Sequence, residues 1–186
     1  MRTAILSFTL ASVLVSAAVA QSPADGHVGA NAYENSYFKF SYAWPSILSP
    51  VDTATLNLSR PSPNSGEFLL FSARQGEAPY GVVMIAEKLH VPTAHHPNGI
   101  QDVADFLNRV EGGADPAGKW KLLKEAHITN GDGIRIDELD YLLFDEYTSA
   151  IVTQVGEFLI AFRCNARSAT DLAEMTKSVI ALHHLK

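Results

Sequence analysis

The chain contains almost no cysteine: Cys164 is the only one among 186 residues. One cysteine cannot form an internal disulfide, so the packing of apolar side chains has to stabilise the fold by itself. The sequence also lacks the H-E-x-x-H and G-x-S-x-G motifs that mark zinc peptidases and serine hydrolases. Its net charge of −6 gives no electrostatic basis for binding nucleic acid or an anionic membrane surface.

Long apolar runs are also rare, and the chain has one candidate, over residues 4–20. Arg2 is the only charged residue before Asp25, and the run ends in Ala18-Val19-Ala20, a small-x-small cleavage motif. These features predict a secretory signal peptide. The run is interrupted by serine and threonine and is shorter than the roughly 20 apolar residues of a spanning helix, so an uncleaved anchor is the weaker alternative. We expect an exported protein, periplasmic or extracellular, whose mature form is not embedded in a membrane.

This interpretation divides the chain into three parts. Residues 1–20 are the predicted signal peptide, and residues 21–36 are rich in small and polar residues, which predicts a flexible leader. Residues 37–186 have the length of one domain and contain no internal linker or repeat. We therefore expect a single α/β domain over 37–186.

Apolar alternation and turn residues predict most of the strands of this domain. The predicted strands cover 37–42, 54–58, 67–74, 81–89, 134–139, 148–155 and 158–164. The third and fourth form a predicted hairpin, while residues 120–127 fit either a short helix or an edge strand. The run over 158–164 is apolar on both faces, which indicates a central strand covered on both sides.

Two amphipathic helices are predicted from apolar residues at helical spacing. The first carries Val103, Phe106, Leu107 and Val110, with Asn98 as its expected N-cap and Gly112-Gly113 near its end. The second carries Leu172, Met175, Val179 and Leu182 and begins after Ser168, a suitable N-cap. We expect the second helix to pack across the sheet.

Two segments of the chain resemble parts of a known family. Tyr33-Glu34-Asn35 leads into Phe38-Lys39-Phe40-Ser41-Tyr42 and then Trp44-Pro45, which resembles the opening of PsbP-like domains. Residues 147–162, followed by 168–182, resemble its paired strands and closing helix. The resemblance implies an α/β/α sandwich with a central, mainly antiparallel sheet. It also implies a binding or assembly role, since relatives include a photosystem II extrinsic subunit, a Ran-binding import factor and bacterial envelope proteins.

Histidines are the first candidates for chemistry. His95-His96, with His90 nearby, and His183-His184 could supply imidazoles to a metal. Adjacent side chains of an extended segment point to opposite sides, so we expect solvent-exposed loop histidines. Whether His90, His95 and His96 bind a metal stays open at this point.

An acidic stretch and the lone thiol are the next candidates. The acidic residues are Asp137, Glu138, Asp140, Asp145 and Glu146, without the spacing of an EF-hand, so we expect an acidic outer face. Cys164 lies in an apolar strand, which predicts a buried and unreactive thiol.

Two further motifs carry little weight. Residues 113–119 spell a P-loop skeleton, but Trp120 follows instead of Ser or Thr and a predicted helix precedes it, so we expect a solvated loop. Asn57-Leu58-Ser59 fits a glycosylation sequon, which matters only in a eukaryotic secretory pathway.

From these patterns we expect no catalytic, cofactor-binding or metal-binding residues. The predicted function is that of an exported, non-enzymatic binding or assembly protein of the bacterial envelope, with a protein or envelope component as its partner. The alternative is a small metal- or ligand-binding envelope enzyme. A pocket gathering His, Asp and Glu from separate elements would favour the enzyme, and an exposed apolar patch would favour the binding protein.

Overall fold

The computed structural model describes residues 22–52, 66–78, 80–114 and 120–185. These residues form eleven strands and two helices. The strands are β1 (Gly26–Val28), β2 (Tyr33–Asn35), β3 (Phe40–Tyr42), β4 (Ser49–Pro50), β5 (Glu67–Arg74), β6 (Gly81–Lys88), β7 (Trp120–Thr129), β8 (Arg135–Leu143), β9 (Glu146–Val155), β10 (Phe158–Ala166) and β11 (His183–His184). The helices are α1 (Val103–Ala114) and α2 (Ala169–Ile180). The predicted signal peptide, the strand over 54–58 with its sequon, and the core of the P-loop skeleton over 115–119 lie outside the described residues.

The strands form two antiparallel sheets. The larger has seven strands in the order β4-β5-β6-β10-β9-β8-β7, and the smaller has four in the order β1-β2-β3-β11. The mainly antiparallel arrangement implied by the family resemblance is confirmed. Strands predominate in the described residues, so the molecule contains more sheet than the expected α/β/α sandwich suggests.

Strand β10 lies near the middle of the large sheet, paired with both β6 and β9. Phe162 and Cys164 on one face pack in a core with α2 and the small sheet. Leu159 and Ala161 on the other face pack in a second core with α1. The strand predicted to be covered on both sides therefore has one helix on each side.

Helix α2 begins as its sequence predicts. The hydroxyl of Ser168 accepts a hydrogen bond from the backbone N–H of Asp171 at 3.1 Å, which satisfies one of the donors exposed at the start of the helix. Leu172, Met175 and Val179 are buried against the sheet. The predicted cap and apolar face are both confirmed.

Helix α1 begins later than predicted. Its N-terminal cap is the carboxylate of Asp102, which accepts from the backbone N–H of Asp105 at 2.8 Å. The prediction of Asn98 as the cap is wrong, because Gly99 lies between Asn98 and the helix with φ of +67°, outside the helical region. The apolar stripe of the helix faces the sheet.

The segment predicted as a flexible leader differs from that expectation. Within it, β1 and β2 form strands, and the side chains of Tyr33 and Asn35 are buried. The ring of Tyr33 lies 5.5 Å from that of Phe71 in the main core, and the Asn35 amide donates to Tyr33 Oη. The buried side chains of Tyr33 and Asn35 thus attach this segment to the core, although most of its residues are small or polar.

Residues 120–129 form an edge strand, which settles the ambiguity left by the sequence. Strand β7 pairs with β8 along its length, with a bulge between Leu122 and Lys124. Within the described ranges no helix combines the length and apolar character needed to cross a lipid bilayer.

Candidate functional site

A groove lies beside the carboxy-terminal half of α1, on the face of the large sheet that this helix covers; we call it the α1 groove. Its volume is about 540 Å³. Strands β6, β8, β9 and β10 supply its floor and α1 supplies a wall. The lining residues include Val83, Ile85, His96, Phe106, Arg109, Val110, Gly113, Tyr141, Leu143, Ala150, Ala161, Arg163 and Asn165.

The charged groups of the groove differ in how they are paired. Arg109 bonds to the Asp105 carboxylate at 2.9 Å and donates to the carbonyl of Gly99 at 2.9 Å. Arg163 is exposed and forms no ion pair with any described residue. Burial raises the pKa of the Tyr141 phenol, and the positive charge of Arg163 opposes this rise. Arg163 and Tyr141 thus line the same groove, and Arg163 has no carboxylate partner among the described residues.

Two histidines contact a pair of buried carboxylates near one end of this groove. Glu67 on β5 lies directly opposite Glu87 on β6, so the register brings two acids together on one face. His95 Nδ1 lies 2.9 Å from both Glu67 carboxylate oxygens. His96 Nδ1 lies 2.7 and 2.9 Å from those of Glu87, which also accepts from Thr93 Oγ1. These bonds compensate the cost of burying two neighbouring carboxylates.

The expectation of solvent-exposed loop histidines is wrong for His96, whose side chain is only 20% exposed, whereas His95 is 71% exposed. The two residues lie in a loop rather than a strand, so both rings reach adjacent strands. His90 Nδ1 lies 3.0 Å from the Gln101 side-chain oxygen, and His183 pairs with Asp132. No three His, Cys, Asp or Glu residues are placed to hold a metal ion in the part of the chain that the structure describes.

Part of the acidic stretch is buried on the opposite face of the sheet, so the predicted acidic outer face is wrong there. Glu138 has no exposed side-chain surface, and its carboxylate is paired with Lys124 Nζ at 2.5 Å. Burial and the neighbouring Asp140 raise the Glu138 pKa, while Lys124 lowers it. Glu138 Oε1, Asp140 Oδ1 and the Ser149 hydroxyl are buried with no hydrogen-bond partner among the described residues.

The remaining acids of this stretch divide between core and surface. Asp137 is buried on the α1 face and is paired with His127 Nδ1, with Arg135 at 3.5 Å. Asp145 and Glu146, at the turn between β8 and β9, are exposed as expected. Alternation along β8 thus places Asp137 on one face and Glu138 and Asp140 on the other, where their surroundings differ.

Cys164 is buried and unpaired, as its apolar strand predicts. Burial and the carboxylates of Asp140 and Glu138 raise the pKa of its thiol. A thiol with a raised pKa has little thiolate at neutral pH and reacts slowly. Cys164 therefore serves packing rather than chemistry.

The outer edge of the large sheet is formed by β7, which pairs only with β8 among the described strands. Leu122 and Leu123 on this edge are each 42% exposed. Nearby, Phe144 is 59% exposed and has a φ of +52°, a conformation that bulky residues seldom adopt. The β7 edge thus combines backbone groups that no second described strand pairs with and exposed apolar side chains.

These arrangements offer few groups for catalysis. Between described residues, no Ser, Thr or Cys side chain is hydrogen-bonded to a histidine ring, which is the pairing that activates a nucleophile in acyl transfer. The carboxylates of Glu67 and Glu87, near the groove, are already hydrogen-bonded to His95 and His96. What the described surface offers is a concave groove and an open strand edge.

Comparisons with known proteins bear on the fold. No protein-family model matches the chain, and no curated protein matches its sequence. Among solved structures, the solution structure of cyanobacterial PsbP (CyanoP) from Synechocystis matches with a TM-score of 0.53 and 17% sequence identity. The match covers 86% of this chain and 98% of that chain. The resemblance noted from the sequence therefore holds for the architecture: this chain has a PsbP-like fold.

Proposed function

We propose that this protein is an exported, non-enzymatic binding or assembly protein of the bacterial envelope, built as one PsbP-like domain. The observation that carries the proposal is the β7 edge, a ten-residue strand with one described neighbour and two exposed leucines. The likeness of fold to PsbP supports it, because the family resemblance implies binding or assembly roles rather than catalysis.

Binding at the β7 edge takes the form of strand addition. An edge strand presents unpaired N–H and C=O groups that an extended segment of another chain can satisfy, with side-chain pockets giving specificity. Lys121, Lys124 and the bulge are the devices that natural edges use against unwanted pairing. The exposed Leu122 and Leu123 work against that protection, which favours a specific partner at this edge.

The β7 edge is tested by site-directed cross-linking in the native envelope. A photoreactive residue at position 123 yields a discrete protein adduct, because the partner lies against the edge. The same residue in place of Lys177, exposed on α2, yields none. Leu122→Lys removes the adduct from position 123 without changing the unfolding midpoint. Equal adducts from both positions, or none from position 123, would contradict the proposed docking edge.

Export is tested separately from binding. Cleavage after Ala20 leaves a mature chain that begins at Gln21. Intact-mass analysis of the exported fraction is expected to give the mass of residues 21–186. A species that retains Met1 and sediments with membranes would show that residues 4–20 act as an anchor.

A further inference from the structure

We propose that the α1 groove binds a small amphipathic carboxylate, with its apolar chain on the sheet and its carboxylate held by Arg163. This small-molecule site is distinct from the β7 edge and goes beyond the binding role proposed there. The argument rests on the size of the groove, the distribution of charge around it and the polar residues gathered at one end.

The groove has the size and floor of a ligand site. Its volume of about 540 Å³ falls within the roughly 300–1,000 Å³ typical of sites for small molecules. Ala150 and Ala161 form part of the floor, and these short side chains leave depth where larger residues would fill the space. Phe106 and Val110 of α1 add an apolar wall. An alkyl or aromatic body fits this part of the groove.

The charge of the groove is opposite to that of the protein. The chain carries 20 Asp+Glu against 14 Lys+Arg, yet the described lining residues include two arginines and no Asp or Glu. Arg109 is neutralised by Asp105, whereas Arg163 has no carboxylate partner among described residues. A guanidinium beside an apolar surface favours a carboxylate, with which it forms two parallel charge-assisted hydrogen bonds.

The polar groups gather at one end, which gives the ligand a direction. Ala161, Arg163 and Asn165 alternate along β10 and share the groove face, so polarity increases towards Asn165. Tyr141 lines the same groove, and its phenol O–H is a hydrogen-bond donor that suits a carboxylate. The carboxylate is therefore placed at Arg163, and the apolar chain over Ala161.

Titration calorimetry with decanoate and 1-decanol tests whether the groove binds the carboxylate of the ligand through the charge of Arg163. The purified protein is expected to bind decanoate saturably and about tenfold more tightly than 1-decanol, because only decanoate pairs with Arg163. Arg163→Gln removes this preference and leaves 1-decanol affinity within about twofold. Arg135→Gln, an exposed arginine on β8 outside the groove, keeps the preference. Equal affinity of the unmodified protein for both ligands would overturn the proposal.

Substitution of two neighbouring glycines of α1 tests whether the ligand binds in the α1 groove. A Cβ at either Gly112 or Gly113 meets open space, but only Gly113 lines the groove. Gly113→Phe is expected to weaken both ligands by about tenfold or more, whereas Gly112→Phe leaves them unchanged. Decanoate also shifts the methyl resonances of Ala150 and Ala161. Absence of saturable binding, or binding insensitive to Gly113→Phe, overturns the site whatever the cross-linking at β7 shows.

Discussion

Replacing Met175 by alanine is expected to lower the free energy of unfolding by about 2–5 kcal/mol. Met175 has no exposed surface and lies on α2 against the large sheet, in the same core as Phe162 and Cys164. The alanine leaves a cavity that the rigid sheet cannot fill, so the transfer and cavity costs add. Against a total stability of about 5–15 kcal/mol for a domain, this loss is large. Chemical denaturation measures it directly.

Glu174→Ala is the matched control, because Glu174 is exposed on the outer side of the same helix. Its effect is expected to stay within about 0.5 kcal/mol. Both substitutions place alanine at an interior helix position, so differences in helix propensity are small. If Glu174→Ala proved the more damaging, the assignment of the buried face of α2 would be wrong.

Replacing Lys124 by methionine is expected to destabilise the protein at pH 8 by about 1–2 kcal/mol and much less at pH 4. Lys124 is the cation paired with the buried carboxylate of Glu138, and methionine keeps the apolar stem while removing the charge. The figure lies below the roughly 3–5 kcal/mol seen on breaking fully buried pairs, because the Lys124 side chain is 48% exposed.

The pH dependence follows from the raised pKa of Glu138. A carboxyl whose pKa is higher in the folded state contributes stability below its unfolded pKa, and loses it as pH rises through the folded pKa. Lys124 lowers the Glu138 pKa, so removing Lys124 raises that pKa further. The variant therefore loses more stability than the unmodified protein when the pH rises above the Glu138 pKa. At pH 4 Glu138 is protonated in the folded variant, and the missing cation matters little.

Lys121→Met controls for the loss of any lysine from β7, since Lys121 is exposed on the same strand. It is expected to change stability by no more than about 0.5 kcal/mol at either pH. A loss in Lys124→Met of the same size at pH 4 and pH 8 would mean that Lys124 acts through packing rather than through its charge.

Several elements of the fold could be predicted because their signals are local. The β5–β6 hairpin, the strand over 158–164 and the Ser168 cap of α2 depend on apolar spacing and turn or cap residues within a few positions. The burial of Cys164 follows from the apolar run that contains it. Each of these features depends on residues that are close together in the sequence, so the sequence pattern is enough to predict it.

The groove and the charge pairs could not be predicted, because they depend on which strands become neighbours. In the sequence, Arg163 is only a polar residue within an apolar strand. Pairing of β10 with β6 and β9 places it between Val83 and Ala150. Glu67 and Glu87 become a pair only through the β5–β6 register, which brings His95 and His96 to them. A sequence shows spacing along one strand but not the register between strands.

The sequence by itself determined a fold without an internal disulfide, with the β5–β6 hairpin, α2 across the sheet and Cys164 inside. Only the tertiary structure decided that Tyr33 anchors the predicted leader and that Glu138 is buried beside Asp140. It also decided that β7 is left at an edge and that α1 covers only part of its face of the sheet. The reason is physical: apolar periodicity specifies which side of an element is buried, whereas strand order and register specify what that side meets.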